Sequence, residues 1–282
     1  MAVYRGFDQQ ELDREYSPSS EVADFDAELR AYAVESGRAR RELPGYRELR
    51  YGPDAPELID FFPAARPGAP LHVFVHGGFW QELGKEDSGF PALDLVPLGT
   101  AFAAVGYGLA PHWTVERIVE QVTSAVRWLV DHAAELGADP ERIVLSGSSA
   151  GAHLAATALL DERLRGRIRG AALLSGVYDL EPVALSYVNQ PLGLDPARAA
   201  ALSPLHAGAD ALAGLPPVVL ALGEHETDEF GRQQAEYAKA LRGAGVAVHE
   251  LLVGGRNHFD LVFDLGKVGT VLGAAVEALR RG

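Results

Sequence analysis

The sequence contains no cysteine. Disulfides, thiolate metal sites and a cysteine nucleophile are therefore excluded. Long apolar runs are also missing. The most apolar stretch, Leu93 to Trp113, is broken by Pro97, Gly99, Gly106, Gly108 and Pro111, whereas a membrane span needs roughly 20 unbroken apolar residues. Met1 to Pro18 is polar and charged and lacks the apolar centre of a secretion signal. These absences lead to the expectation of a soluble cytoplasmic protein with no membrane contact. Basic residues are few: 25 Lys and Arg stand against 39 Asp and Glu, a formal charge of -14. An acidic surface repels phosphate backbones, so no nucleic-acid partner is expected, and solubility accounts for the charge. No H-E-x-x-H occurs. His72 and His76 fall four apart on or beside a strand, but no cluster of His and carboxylates shows ligand spacing. No metal or other cofactor is expected.

What remains is ample for a core. Of 282 residues, 48% are hydrophobic, which is ordinary for a globular chain. Near-continuous apolar runs at Leu71 to Val75, Thr100 to Val105, Arg142 to Leu145, Ala171 to Leu174 and Val218 to Leu222 suit strands buried on both faces of a parallel sheet, and Val246 to Val253 is a further strand. Between them, Ile118, Val122, Ala125, Val126 and Leu129 recur at steps of three and four, which predicts a helix over Thr114 to Leu136 ended by Gly137. Val268, Val271, Leu272, Ala275, Val276 and Leu279 repeat that pattern. Tyr46 to Tyr51 and Glu57 to Phe62 read as an antiparallel edge joined by the turn Gly52-Pro53-Asp54. Residues 178–217 are rich in Pro, Gly and Ala and read as short helices and loops over the sheet. The expectation is a single α/β domain spanning 1–282, with a doubly wound, mostly parallel sheet, an antiparallel N-terminal edge and a small helical cap.

Three segments carry chemistry. Gly147-Ser148-Ser149-Ala150-Gly151 is a G-x-S-x-G match between a strand and a helical stretch. That context presents a serine hydroxyl on a sharp turn above a sheet. The plain alternative is a serine-capped helix start. His76-Gly77-Gly78-Phe79-Trp80 follows the strand Leu71 to Val75. Attack on an acyl carbon creates an oxyanion that needs preorganised donors. The amides of Gly77 or Gly78, with that of Ala150, can supply them, while His76 shapes the loop. The plain alternative is a Gly-Gly turn. His258, in Gly255-Arg256-Asn257-His258-Phe259-Asp260, follows a late strand and precedes the last helix. One His among nine would more often be a surface or capping residue, but the order Ser, acid, His is the one used by this strand–serine–helix arrangement. The acid is expected between them. Glu226, just past Val218 to Leu222, is the first choice. Asp228 is the alternative, although with Glu229 it also fits a helix first turn. Asp179 is a third candidate that capping explains.

Taken together, His76-Gly77-Gly78-Phe79-Trp80, Gly147-Ser148-Ser149-Ala150-Gly151, Gly223-Glu224-His225-Glu226 with Glu229-Phe230, and Asn257-His258-Phe259-Asp260 resemble the kynurenine formamidase (arylformamidase) branch of the α/β-hydrolases, near the hormone-sensitive-lipase-like esterases. An aromatic directly after H-G-G, where broader esterases tend to have a third glycine, is the distinguishing feature. Leu12 to Pro18, Tyr107 to Pro111, Gln121 and Ser175 to Pro182 extend the likeness over nearly the whole chain. The family acid is often Asp, so Glu226 departs from the pattern. The resemblance implies hydrolysis of N-formyl-L-kynurenine, or a related aryl formamide, through a formyl-serine on Ser149. Phe79, Trp80, Trp113, Tyr178 and Phe230 are then candidates for an aromatic substrate wall, or are simply core. A carboxylesterase on small aryl or acyl esters uses the same residues. A catalytically silent ligand-binding protein is a remote alternative, because Ser, His and a carboxylate are all retained. The expected partner is thus a small-molecule formamide or ester, with a homodimer left open.

Overall fold

β-Branched and small apolar residues dominate the chain wherever a strand must be covered on both faces, and the sheet is built from those runs. The computed structural model describes residues 2–281; Met1 and Gly282 lie outside the described residues. Its strands are β1 (Arg47–Arg50), β2 (Leu58–Phe62), β3 (Ala69–Val75), β4 (Ala101–Val105), β5 (Ala138–Ser148), β6 (Gly170–Leu174), β7 (Val218–His225) and β8 (Val248–Asn257). They form one sheet in the order β1-β2-β4-β3-β5-β6-β7-β8. β1–β2 and β2–β4 pair antiparallel, and every other pair is parallel. This is the α/β-hydrolase type of sheet anticipated from the alternating runs, with its antiparallel edge at the N-terminal side.

Every residue of β3, β4 and β6 is buried, because helices cover both faces. On one face Leu71, Val73 and Val75 pack with Val122 and Val126 of the helix Val115–His132 and with Leu154 of Ala150–Leu159. On the other, Phe74, Phe102 and Leu174 pack with Tyr32 of Phe25–Glu42 and Leu272 of Val271–Arg281. A doubly wound sheet places its ligand site outside the carboxyl ends of the strands. The segments 76–80, 147–151, 223–226 and 257–260 all lie at those ends.

Boundaries differ from expectation for local reasons. Thr114 caps its helix through Arg117 N, but the helix stops at His132, and a further turn leads to the left-handed Gly137 (φ 80°). β5 starts at Ala138 rather than Arg142: Ala138 pairs with Ala69 ahead of a register shift, and the polar residues Asp139-Pro140-Glu141 that follow break the apolar run by which a strand is read from sequence. The last helix begins only at Val271, where the Thr270 hydroxyl accepts from Gly273 N. Val268 and Val271 are therefore exposed, not core. Residues 178–217 comprise three short helices, Glu181–Leu185, Pro196–Ala201 and Ala209–Leu212, and two 3-10 turns. No described helix is long and apolar enough to cross a membrane.

Besides His258, three histidines are buried in this fold: His72 on β3, His76 just beyond it and His153 on the helix Ala150–Leu159. Burial lowers His72 to about 3, with Arg280 adding to the effect, and lowers His76 and His153 to about 4. The unfolded chain binds these protons near the ordinary value of about 6.5, so it holds more protons than the native state between pH 6.5 and 4. Stability is then full above pH 6.5 and falls as pH drops, by up to about 1.4 kcal/mol per pH unit for each histidine. Urea unfolding at pH 5 should show a clearly lower midpoint than at pH 7, with uptake of close to three protons. Equal midpoints would contradict this account.

Candidate active site

The position of the candidate nucleophile, Ser149, is set by backbone geometry. β5 ends at Ser148, and Ser149 turns the chain into the helix Ala150–Leu159 with φ 56° and ψ -122°. A non-glycine residue at positive φ is strained by roughly 1–3 kcal/mol, and such strain gathers at functional sites. The turn closes against β3, since a Cβ on Gly151 would lie 2.1 Å from the Val75 carbonyl oxygen. Only glycine allows that approach.

Beside it runs the loop after β3. Gly78 (φ 92°), Phe79 (φ 48°) and Trp80 (φ 60°) are three consecutive left-handed residues. A Cβ on Gly78 would sit 2.2 Å from the Glu82 carbonyl oxygen. The His76 ring stacks on Tyr107 at 4.0 Å and its Nδ1–H donates to the Gly77 carbonyl at 3.0 Å. Tyr107 in turn donates to the His76 carbonyl at 2.7 Å. Among the described residues the amides of Gly77, Gly78 and Ala150 donate to no backbone carbonyl. Free N–H groups at a loop and at a helix N-terminus are suited to negative charge.

His258 follows β8 and is 5% exposed. Its Nδ1–H donates to Glu226 Oε2 at 2.7 Å, which leaves Nε2 as the acceptor. The other oxygen, Oε1, accepts from the Ser175 hydroxyl at 2.6 Å and from Gly223 N at 2.7 Å. Asp228 is exposed and opens the helix Asp228–Gly243. It plays the dipole role that its position suggested and does not meet His258. Asp179 accepts from Glu181 N at 3.0 Å and from the Tyr4 hydroxyl at 3.4 Å but is not the cap of the helix Glu181–Leu185, whose N-cap is Leu180. Ser175, at φ 48° and 1% exposed, was not singled out from sequence. A serine after a strand carries no chemical signature of its own.

Ser149, His258, Gly77 and Gly78 all line one cavity of about 670 Å³. Of the five expected substrate rings, only Phe79 lines it. Trp80 is fully buried, edge-on to His153 at 5.1 Å, because the left-handed backbone turns its side chain into the core. Tyr178 stacks on Tyr237 at 4.2 Å, and Phe230 lies against the His258 ring at 4.5 Å. Trp113 borders a separate cavity of about 490 Å³. The other aromatic rings that line the main cavity are Phe25, Tyr32, Phe74, Phe90, Tyr187 and Phe259. Phe25 and Tyr32 come from an N-terminal helix that carries no motif. Trp80→Ala should accordingly cost about 3–5 kcal/mol of stability, read from a urea titration. A stable variant with an enlarged acyl range would restore Trp80 to the pocket. Among the described residues no three His, Asp or Glu side chains are grouped to hold a metal.

The sheet, the serine turn and the His–carboxylate pair define an α/β hydrolase, and the family model of that fold matches residues 72–260. Kynurenine formamidase of Danio rerio is 33% identical over 279 residues, covering 94% of each chain. Esterase LipQ of Mycobacterium tuberculosis is 30% identical, over 80% of this chain and 60% of its own. A crystal structure of a protein described as a thioesterase, from Silicibacter sp. tm1040, superposes with a TM-score of 0.84 at 26% identity, over 95% of this chain and 99% of that one. The chain belongs to the α/β-hydrolase family and, within it, to the kynurenine formamidase branch.

Proposed function

We propose that the protein is a serine hydrolase that removes formate from N-formyl-L-kynurenine or a closely related aryl formamide. The observation that carries the reading is the cavity shared by Ser149, held on its left-handed turn, and His258, held by Glu226 at 2.7 Å. His258 Nε2 takes the Ser149 proton as the serine oxygen attacks the formyl carbon. The amides of Gly77, Gly78 and Ala150 receive the oxyanion. His258 then protonates the departing aniline nitrogen, and water attacks the formyl-serine to release formate and free the serine. The relatives named kynurenine formamidase support the substrate. The 178–217 segment acts as a cap, contributing Tyr187, Val188, Gln190 and Pro191 to the cavity.

A second reading, a carboxylesterase on small aryl esters, is favoured by the cavity itself, since about 670 Å³ holds acyl groups well beyond formyl. Ranking kcat/KM for formyl, acetyl and butyryl anilides and aryl esters decides between them. The formamidase reading expects a fall with each added methylene, of about 10- to 200-fold where packing is tight. Butyryl esters outperforming N-formylkynurenine would replace it with the esterase.

A further inference from the structure

The cavity wall has an unequal supply of hydrogen-bonding groups. Among the described residues no Lys or Arg lines it, while two carboxylates, Asp87 and Glu82, do. The nearest cations are engaged elsewhere: Lys85 Nζ binds Asp60 at 2.8 Å, Glu86 at 2.8 Å and Glu48 at 3.0 Å, and Arg40, which is near enough to act on Asp87, binds the Glu86 carbonyl at 2.7 Å and Asp60 at 3.3 Å. Neutral donors on the wall are engaged too. The Tyr32 hydroxyl donates to the Phe259 carbonyl, Ser88 to Gly84, Tyr187 to Tyr16, and the Gln81 amide to Val188. Of the remaining neutral side-chain donors, Ser148 lies beside the nucleophile, and Ser19 and Gln190 lie at the exposed rim.

Acceptors, in contrast, are free. His76 is 2% exposed and lines the cavity. Its Nδ1–H faces Gly77, so its Nε2 is a buried acceptor without a partner. The Gln81 amide donates through its nitrogen, which leaves its oxygen available. Asp87 is half-buried and forms no ion pair among the described residues. Burial and the neighbouring Glu86 raise its pKa against the pull of Arg40, and an ammonium group brought beside it would offset the cost of keeping the carboxylate ionised. Away from the oxyanion amides, a wall rich in acceptors and poor in side-chain donors suits an ammonium group and opposes a carboxylate, whose desolvation no buried side chain there would offset.

Resting on the aryl-formamide reading above, we infer that the cavity selects substrates by charge: the ammonium group on the substrate side chain is recognised at Asp87, and a carboxylate is tolerated only when it points to the rim. Four formamides on one 2-acylformanilide core test this. Their side chains end in ammonium alone, ammonium with carboxylate (N-formylkynurenine), neither, or carboxylate alone. The expected kcat/KM order is the order given, with about tenfold or more between the first and last and a narrower spread at high salt. In Asp87→Asn the ratio of ammonium-only to uncharged substrate should fall towards one. Competition by the four product amines, read as inhibition constants on the wild type, gives the same ranking without a variant. The inference is overturned if the carboxylate-only compound equals the ammonium-only one, or if Asp87→Asn keeps the ratio. The same four side chains on aryl acetates separate the two claims. Charge-graded acetates beside inert formamides would remove the formamidase reading and leave the charge selection standing. Acetates and formamides both insensitive to charge would remove the selection alone.

Discussion

Ser149→Ala is expected to lower kcat by roughly four to six orders of magnitude while the protein stays folded. The substitution removes the oxygen that attacks but leaves the β5–turn–helix backbone, at φ 56°, in place. The helix Ala150–Leu159 is buried throughout most of its length and does not depend on that hydroxyl, which caps nothing. Circular dichroism and the urea midpoint should match the wild type, and covalent labelling by a fluorophosphonate should vanish. Retention of more than about a tenth of wild-type kcat in a clean preparation would exclude Ser149 as the nucleophile.

The second large effect separates the two carboxylates near the end of β7. Glu226→Gln should lower kcat by about 10³- to 10⁴-fold, whereas Asp228→Asn should change it less than about twofold, as exposed substitutions usually do. The reason lies in the donors around Oε1. Ser175 Oγ and Gly223 N both point at that position, so a glutamine places its carbonyl oxygen there and its NH₂ towards His258 Nδ1. Nδ1 must then accept, and the proton moves to Nε2, where a base for Ser149 is needed. The variant is folded and correctly shaped but holds the wrong tautomer. If the Asp228 substitution were the more damaging one, Glu226 would not be the acid.

The parts of this molecule that sequence makes legible are those under strong local constraint. β3, β4 and β6 are unbroken apolar runs because both faces of the sheet are covered, and such runs can be seen without any structure. Gly151 is legible for the same reason: the packing of one backbone on another admits a single residue type. Glu226 could be placed by its position after a strand, although its carboxylate is held by Ser175, a residue from the neighbouring strand end that only the sheet order brings near. The substrate wall was the least legible part. Trp80 stands next to the glycines in sequence, yet its left-handed backbone carries it into the core. Phe25 and Tyr32 stand far from every motif and reach the cavity because helix Phe25–Glu42 packs on the His258 loop. Proximity along the chain is a poor guide to which ring faces a cavity. That depends on the sign of φ at one residue or on a helix docked from the other end of the protein.

That docking has a consequence for how the enzyme is made. Tyr32 binds the Phe259 carbonyl 227 positions further on, and Glu28 binds Asn257 across 229. At synthesis rates of about 5–20 residues per second, the N-terminal helix waits roughly 10–45 seconds for the loop that it covers. During that interval Phe25 and Tyr32 have no native partner from that loop, and the nascent chain carries an apolar helix face open to chaperones or to other chains. In the proposed mechanism the base, His258, emerges after the nucleophile and after nearly all of the sheet. On that reading a growing chain lacks the complete set of Ser149, Glu226 and His258 until the His258 loop has emerged, and the cavity wall is complete only once that loop has met the helix Phe25–Glu42.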